Sequence, residues 1–130
     1  VAEPNWIGRE ITLVYHELQI AEHGGAAGVR DLGLLESALA KPKNLFAYSE
    51  TALTMPRLAA SYAFGIAGNH PFVDGNKRTA MVVAFTFLEL NGYEVLATQE
   101  EAYFAFLAVA NGEIAEEELA RLLEAHSVMR

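Results

Sequence analysis

Asn76-Lys77-Arg78-Thr79-Ala80-Met81-Val82-Val83-Ala84-Phe85-Thr86-Phe87-Leu88-Glu89-Leu90 is the stretch on which the fold turns. Past its polar start, Ala80, Met81, Val83, Ala84, Phe85, Phe87 and Leu88 cover nearly every side of a helix, and Asn91-Gly92 stops it. A helix of this length that is apolar all round belongs in the centre of a bundle. Upstream, Pro56 suits the first turn of a helix carrying Leu58, Ala59, Tyr62, Ala63 and Ile66, which reaches Gly68-Asn69 and delivers His70 at its end. Downstream, Tyr93-Glu94-Val95-Leu96 reads as a short connector. Thr98-Gln99-Glu100-Glu101 has the form of a capping box and opens a fifth helix with Tyr103, Phe106, Leu107 and Ala110, closed by Asn111-Gly112. Ile114, Leu119, Leu122 and Leu123, with glutamates at 116 to 118 complementing a helix N-terminus, give a sixth.

Towards the N-terminus, Ile11, Val14, Tyr15 and Leu18 follow the spacing of one apolar helix face, predicting a first helix over residues 9–23 that Gly24-Gly25 ends. Asp31 can cap a second helix through Leu34, Leu35, Ala38 and Leu39, expected to end near Lys41 because Pro42 disfavours helical geometry in its predecessor. Lys43 to Leu53 is less regular. Within it Leu45-Phe46-Ala47-Tyr48 suits a short extended flap, a surface loop or part of a brief hairpin, and the pattern is too short to choose. The expected fold is all-α: a compact single-domain bundle of about six helices over residues 1–130, with a polar loop between a helix end and the N-terminus of the buried central helix.

Composition narrows the function. Hydrophobic content of 52% and charged content of 20% suit a soluble globular chain, and no apolar run has the length to span a bilayer. The absence of cysteine excludes disulfides and thiolate metal sites, and Val1-Ala2-Glu3-Pro4-Asn5 lacks the pattern of a secretory signal. A cytoplasmic location is expected. A formal net charge of −8 disfavours general nucleic-acid binding, which needs clustered Lys and Arg. The adjacent Lys77-Arg78 pair is therefore unusual, being two of only nine basic residues.

His70-Pro71-Phe72-Val73-Asp74-Gly75-Asn76-Lys77-Arg78 concentrates the polar groups useful in catalysis between two apolar helices. A turn at Gly75 entering a buried helix leaves the first N–H groups of that helix unpaired, a ready site for phosphate. Lys77 and Arg78 add positive charge there, Asp74 is placed to hold a magnesium ion beside phosphates, and His70 is a candidate general base. Each has a plainer role available: His70 as a cap of the third helix, Asp74 and Asn76 as caps of the fourth, Phe72 as a core residue. Their joint occurrence within nine residues favours function. The segment is not a P-loop, because no Gly-Lys-Ser/Thr triplet and no preceding strand are present, and protein-kinase motifs of the His-Arg-Asp or Asp-Phe-Gly kind are missing. His16, His23 and His126 show no shared ligand spacing and read as surface or helix-end residues.

The nine-residue segment resembles the signature of the Fic/Doc superfamily, His-Pro/x-Phe-x-Asp/Glu-Gly/Ala-Asn-x-Arg. The Fic branch has glycine between Asn and Arg and a second arginine three positions later; Lys77 and Met81 stand there instead. Asn76-Lys77-Arg78-Thr79-Ala80 is similar to the Doc branch, the death-on-curing toxins of addiction systems. The resemblance extends through Glu22-His23-Gly24-Gly25, Gly28-Val29-Arg30-Asp31 and Leu34-Leu35-Glu36-Ser37-Ala38-Leu39. It implies transfer of the γ-phosphate of ATP to a threonine of elongation factor Tu, with magnesium as cofactor and a Phd-like antitoxin as partner. The lysine is thought to fill the subsite that Fic enzymes use for nucleotide phosphates.

Carried over by position, His70 deprotonates the target hydroxyl, Asp74 holds magnesium, Gly75, Asn76 and Lys77 line the phosphate nest, Arg78 neutralises charge on the transferring group, and Phe72 anchors the loop. Lys43 to Tyr48 matches in position the extended flap that aligns the target. The inhibitory Ser/Thr-x-x-x-Glu-Gly/Asn string of many Fic proteins is missing, so inhibition is expected from outside the chain. The alternatives are a Fic-like AMP transferase and a non-catalytic phosphate-binding interaction module.

Overall fold

The computed structural model describes residues 3–130, with the side chains of all of these except Gln99, Val109 and Ala110, so the expected apolar role of Ala110 and the terminal Val1-Ala2 lie outside the described residues. Among them run six helices, α1 (Arg9–His23), α2 (Leu32–Tyr48), α3 (Met55–Asn69), α4 (Asn76–Leu90), α5 (Gln99–Ala110) and α6 (Glu116–Ala125). Two short strands, β1 (Tyr93–Val95) and β2 (Ser127–Met129), pair antiparallel with Tyr93 opposite Met129 and Val95 opposite Ser127. The bundle is all-α apart from this ribbon. The segment expected to be a plain connector thus forms a strand, for which only the C-terminal residues supply a partner.

Local signals set the helix starts. Asp31 accepts a hydrogen bond from the Leu34 N–H at 3.0 Å and Thr54 one from the Arg57 N–H at 3.2 Å. At the head of α5, Thr98 and Glu101 exchange the two bonds of a capping box. The centre is a pair rather than α4 alone. α3 buries ten of its residues and packs against α2, α4 and α6, while α4 packs against α3, α1, α5 and β1. Tyr62, Ile66, Val83, Phe87, Leu88, Phe106 and Leu119 are fully buried between them.

α2 does not end at Lys41. It continues through Pro42 to Tyr48, so the flap-like reading of residues 43–48 is overturned and these residues are helical. Pro42 has no N–H to give the Ala38 carbonyl, four residues back. Against that turn lies Gly65 of α3: a side-chain carbon there would stand 3.1 Å from the Ala38 Cα, Cβ and carbonyl oxygen. The close approach packs the broken turn, and Pro42 itself is buried. Leu45 and Phe46 then hold the last turns against the core, Phe46 meeting the edge of Trp6 at 5.6 Å between ring centres.

α1 occupies the predicted residues but is rotated from the predicted face. Ile11, Val14 and Leu18 are exposed, whereas Thr12 and His16 are buried. Ahead of it, the Ile7 N–H donates to the Tyr62 hydroxyl at 2.9 Å. Burial pushes the Tyr62 pKa up to about 12, the bond to the Ile7 backbone opposing this only in part. On the far side, Glu116 of α6 pairs with Lys41 of α2 at 2.7 Å and with Arg57 of α3, joining three helices. Burial would raise its pKa, but the bonds from Lys41 and Arg57 outweigh this and hold the carboxyl below its usual range.

Candidate active site

α3 ends at His70, whose backbone is left-handed (φ 50°, ψ 55°), the single non-glycine residue with positive φ among the described residues. That turn redirects the chain from α3 into the motif. Arg30 holds it there: its guanidinium donates to the carbonyls of His70 at 2.7 Å and Asn69 at 2.9 Å, while the N–H groups of Arg30 and Asp31 donate to the Pro71 carbonyl at 2.7 and 3.0 Å. The Val73 N–H donates to the Gly28 carbonyl, and Val29 forms an isolated bridge with Phe72. Residues 24–31 are therefore a bracket along one side of the motif.

Phe72 is completely buried. Its backbone is closed into a ring by Asn76, whose side chain accepts from the Phe72 N–H at 2.9 Å and donates to the Phe72 carbonyl at 3.0 Å. The side chain of Asn76 is thus tied to the loop through its oxygen and one of its two N–H donors. Asp74 is exposed; its Oδ2 accepts from the Ala26 N–H at 3.1 Å and lies against Gly25, where a side-chain carbon would be 3.2 Å away. Gly75 (φ 77°) turns the chain into α4, and the first backbone bond of that helix runs from Thr79 N–H to the Gly75 carbonyl. The N–H groups of Asn76, Lys77 and Arg78 precede it and lack an intrahelical acceptor.

His70, Asp74, Gly75, Asn76, Lys77 and Arg78 line one cleft of about 390 Å³, together with Gln19 and His23 of α1, Gly24-Gly25 and Tyr103 of α5. All the residues singled out from the sequence border this cleft except Phe72, which lies beneath it. Arg78 rests over the Tyr103 ring, its guanidinium carbon 4.3 Å from the ring centre, a cation–π contact that orients the charge without neutralising it. A free helix N-terminus, two cations and one carboxylate around an open cleft are groups of the kind that can receive a phosphate-bearing ligand and an associated cation.

The Fic/DOC family profile matches residues 6–88, which hold the motif, the bracket and the two helices between which the motif lies. A protein of Escherichia phage P1 named "Protein kinase doc" is 33% identical over 108 residues, covering 83% of this chain and 84% of its own. The chain belongs to the Fic/Doc family. A "Toxin Doc" of Mycolicibacterium smegmatis is 47% identical over 77 residues, 57% of either chain, so the matched stretch spans just over half of that relative. Within the family the chain is Doc-like.

Three residues around this Fic/Doc site escaped the sequence reading. Arg30 and Tyr103 were noted only as part of a similar stretch and of a helix face; the structure sets one on the loop carbonyls and the other under Arg78. His16 corrects an expectation. Far from being a surface or helix-end residue, it is buried, stacks on Phe72 with ring centres 3.8 Å apart and planes 6° from parallel, and its Nε2 lies 2.7 Å from the Asp74 carbonyl oxygen. Its position one turn from Thr12, the other buried polar residue of α1, was the available signal.

Proposed function

We propose that the chain is the toxin of a type II toxin–antitoxin pair and transfers the γ-phosphate of ATP to a threonine hydroxyl of a translation factor, elongation factor Tu foremost, so blocking translation. The observation that carries this reading is Lys77 at the head of α4, in one cleft with His70, Asp74 and Arg78, where the nucleotidyl-transferring branch has glycine. The printed name of the phage P1 relative, a protein kinase, supports it.

His70 is exposed, and its imidazole makes no hydrogen bond among the described residues, which leaves it able to take the proton of an incoming hydroxyl. The hydroxyl oxygen bonds to the γ-phosphorus as the bond from that phosphorus to the β–γ bridging oxygen breaks; ADP leaves and the proton passes to His70. Arg78, Lys77 and the N–H groups opening α4 hold the phosphate oxygens and offset their charge, which is most of what phosphoryl transfer asks of a protein. Among the described residues no three His, Asp or Glu side chains gather around a point, and the carboxylate that borders the cleft is that of Asp74, which would hold a metal through the oxygen not engaged by Ala26. This fits magnesium, which is commonly bound by one or two carboxylates plus the phosphates of its nucleotide. Bound there, it would neutralise charge on the phosphates.

Inhibition is assigned to a Phd-like antitoxin whose disordered segment folds on binding, for which the exposed stripe Ile11, Val14 and Leu18 on α1 offers an apolar seat. Among the described residues no helix is long and apolar enough to cross a membrane.

Incubation with a bacterial lysate and ATP labelled at either the α or the γ phosphate tests the reaction. The γ label alone should enter protein, and His70→Ala should lower its incorporation by roughly 10²- to 10⁴-fold with the fold intact. Transfer of the α label would replace this reading with AMP transfer. Full toxicity of His70→Ala would replace it with binding alone.

A further inference from the structure

We propose that His16 is the positioning residue of the phosphate site: its Nε2–H bond to the Asp74 carbonyl sets the peptide plane from which α4 and its N–H groups start. The inference rests on the nucleotide reading above for its effect on ligand binding, though not for its effect on the loop.

Three contacts converge on this imidazole. Nε2 is 2.7 Å from the Asp74 carbonyl oxygen, a group that can only accept, so Nε2 carries the proton in this bond. The ring face lies flat on Phe72 at 3.8 Å, the residue that Asn76 ties to the head of α4. A side-chain carbon on Gly75 would stand 3.6 Å from the His16 Cδ2 and Nε2, so the ring is also packed against the turn itself. One residue of α1 therefore touches the loop at Phe72, Asp74 and Gly75.

The peptide bond joining Asp74 to Gly75 is planar and trans, which makes its C=O and N–H point in opposite directions. Drawing the carbonyl onto His16 fixes the direction of the Gly75 N–H, and with it the left-handed turn at φ 77°. Glycine has freedom to adopt other angles, so without the bond this plane is the joint of the loop most free to rotate. The orientation of α1 agrees with this role. The helix packs Leu13 and Tyr15 partly against the core and leaves Ile11, Val14 and Leu18 exposed, which places His16 on the buried side over the loop.

Two variants separate the hydrogen bond from the ring. His16→Phe keeps a flat ring on Phe72 and removes the donor; His16→Gln keeps an N–H donor of similar reach and removes the ring. Amide hydrogen exchange at Phe72, Val73 and Thr79, whose N–H groups are bonded at the two ends of the loop, should accelerate about tenfold in His16→Phe and return to within threefold of the parent in His16→Gln, a factor that matches the loss of one hydrogen bond. KM for Mg·ATP should follow the same order, about tenfold higher in His16→Phe with kcat within threefold, since the nest binds the phosphates before and during transfer.

Equal exchange in His16→Phe and the parent would overturn the proposal, and so would a His16→Gln variant as impaired as His16→Phe. Should His16→Phe fail to fold, the Gln variant and the imidazole nitrogen-15 spectrum of the parent decide: a proton found on Nδ1 and not on Nε2 rejects the bond. A parent that binds no Mg·ATP would defeat the nucleotide reading, while the exchange comparison would still judge His16.

Discussion

α1 and α4 meet across the motif and follow opposite rules. α4 is apolar on most sides and buries Ala80, Met81, Val83, Ala84, Phe87 and Leu88; Asn76, Lys77 and Arg78 of its first turn border the cleft. α1 turns two polar side chains inward and leaves three large apolar ones outside. α4 is placed by the removal of apolar surface from water, and its N-terminus receives the site as a consequence. α1 packs Leu13 and Tyr15 partly against the core, and the bond and ring stack at His16 tie it to the loop. The lesson is that burial by itself does not reveal which force set an element in position.

The contrast is broken most forcefully from the α4 side. Phe87→Ala removes a fully buried ring that stacks near Trp6 and Tyr62, at 5.9 and 5.1 Å between centres, and should lower unfolding free energy by about 3–5 kcal/mol in urea titrations. A loss under 1 kcal/mol would mean that α4 is not held by its core.

The next effect is read at alkaline pH, at the tie that leads into α1. The Tyr62 hydroxyl ionises near pH 10 in the unfolded chain but is pushed up to about 12 in the folded one, so the folded state holds its proton longer. This contribution is complete below pH 10 and is lost as pH rises from 10 through 12, by roughly 3 kcal/mol in total. Tyr62→Phe should flatten that arm of the stability curve, as followed by urea unfolding at stepped pH. An unchanged alkaline slope would place its cause elsewhere.

The smallest effect belongs to the outer face of α1. Leu18→Ser should alter stability by no more than about 0.5 kcal/mol, because the side chain is already in water. Its affinity for a Phd-like antitoxin should nevertheless fall, measurable by calorimetry. A large stability loss would show that α1 hides its apolar face after all.

The same two helices explain how much was legible in the sequence. α4 was readable from Asn76 to Leu90 because one physical effect, all-round apolarity, dominates it, and the glycine and asparagines at its ends mark its limits. Much of the lining of the cleft was readable for a related reason, since His70, Asp74, Asn76, Lys77 and Arg78 lie close together in one segment. The inward face of α1 was not, because spacing rules assume that apolar residues face the core, and the partner that draws His16 inward lies 58 positions away. Pro42 was misread similarly: local geometry argues for a helix end, and the compensation is Gly65 on another helix. Contacts from Arg30 to His70 and from Tyr103 to Arg78 join distant segments and carry no local pattern.

The left-handed backbone at His70 has a consequence for how such a chain would evolve. A histidine in that conformation is disfavoured by about 1 kcal/mol relative to glycine, and asparagine tolerates it better as well. Folding alone would therefore drift this position towards Gly or Asn, and under the proposed function selection for proton transfer is what retains the imidazole. In a population escaping the toxicity of its own gene, His70→Gly and His70→Asn should be recovered as soluble, well-folded and silent proteins, leaving lineages in which an intact scaffold outlives its chemistry.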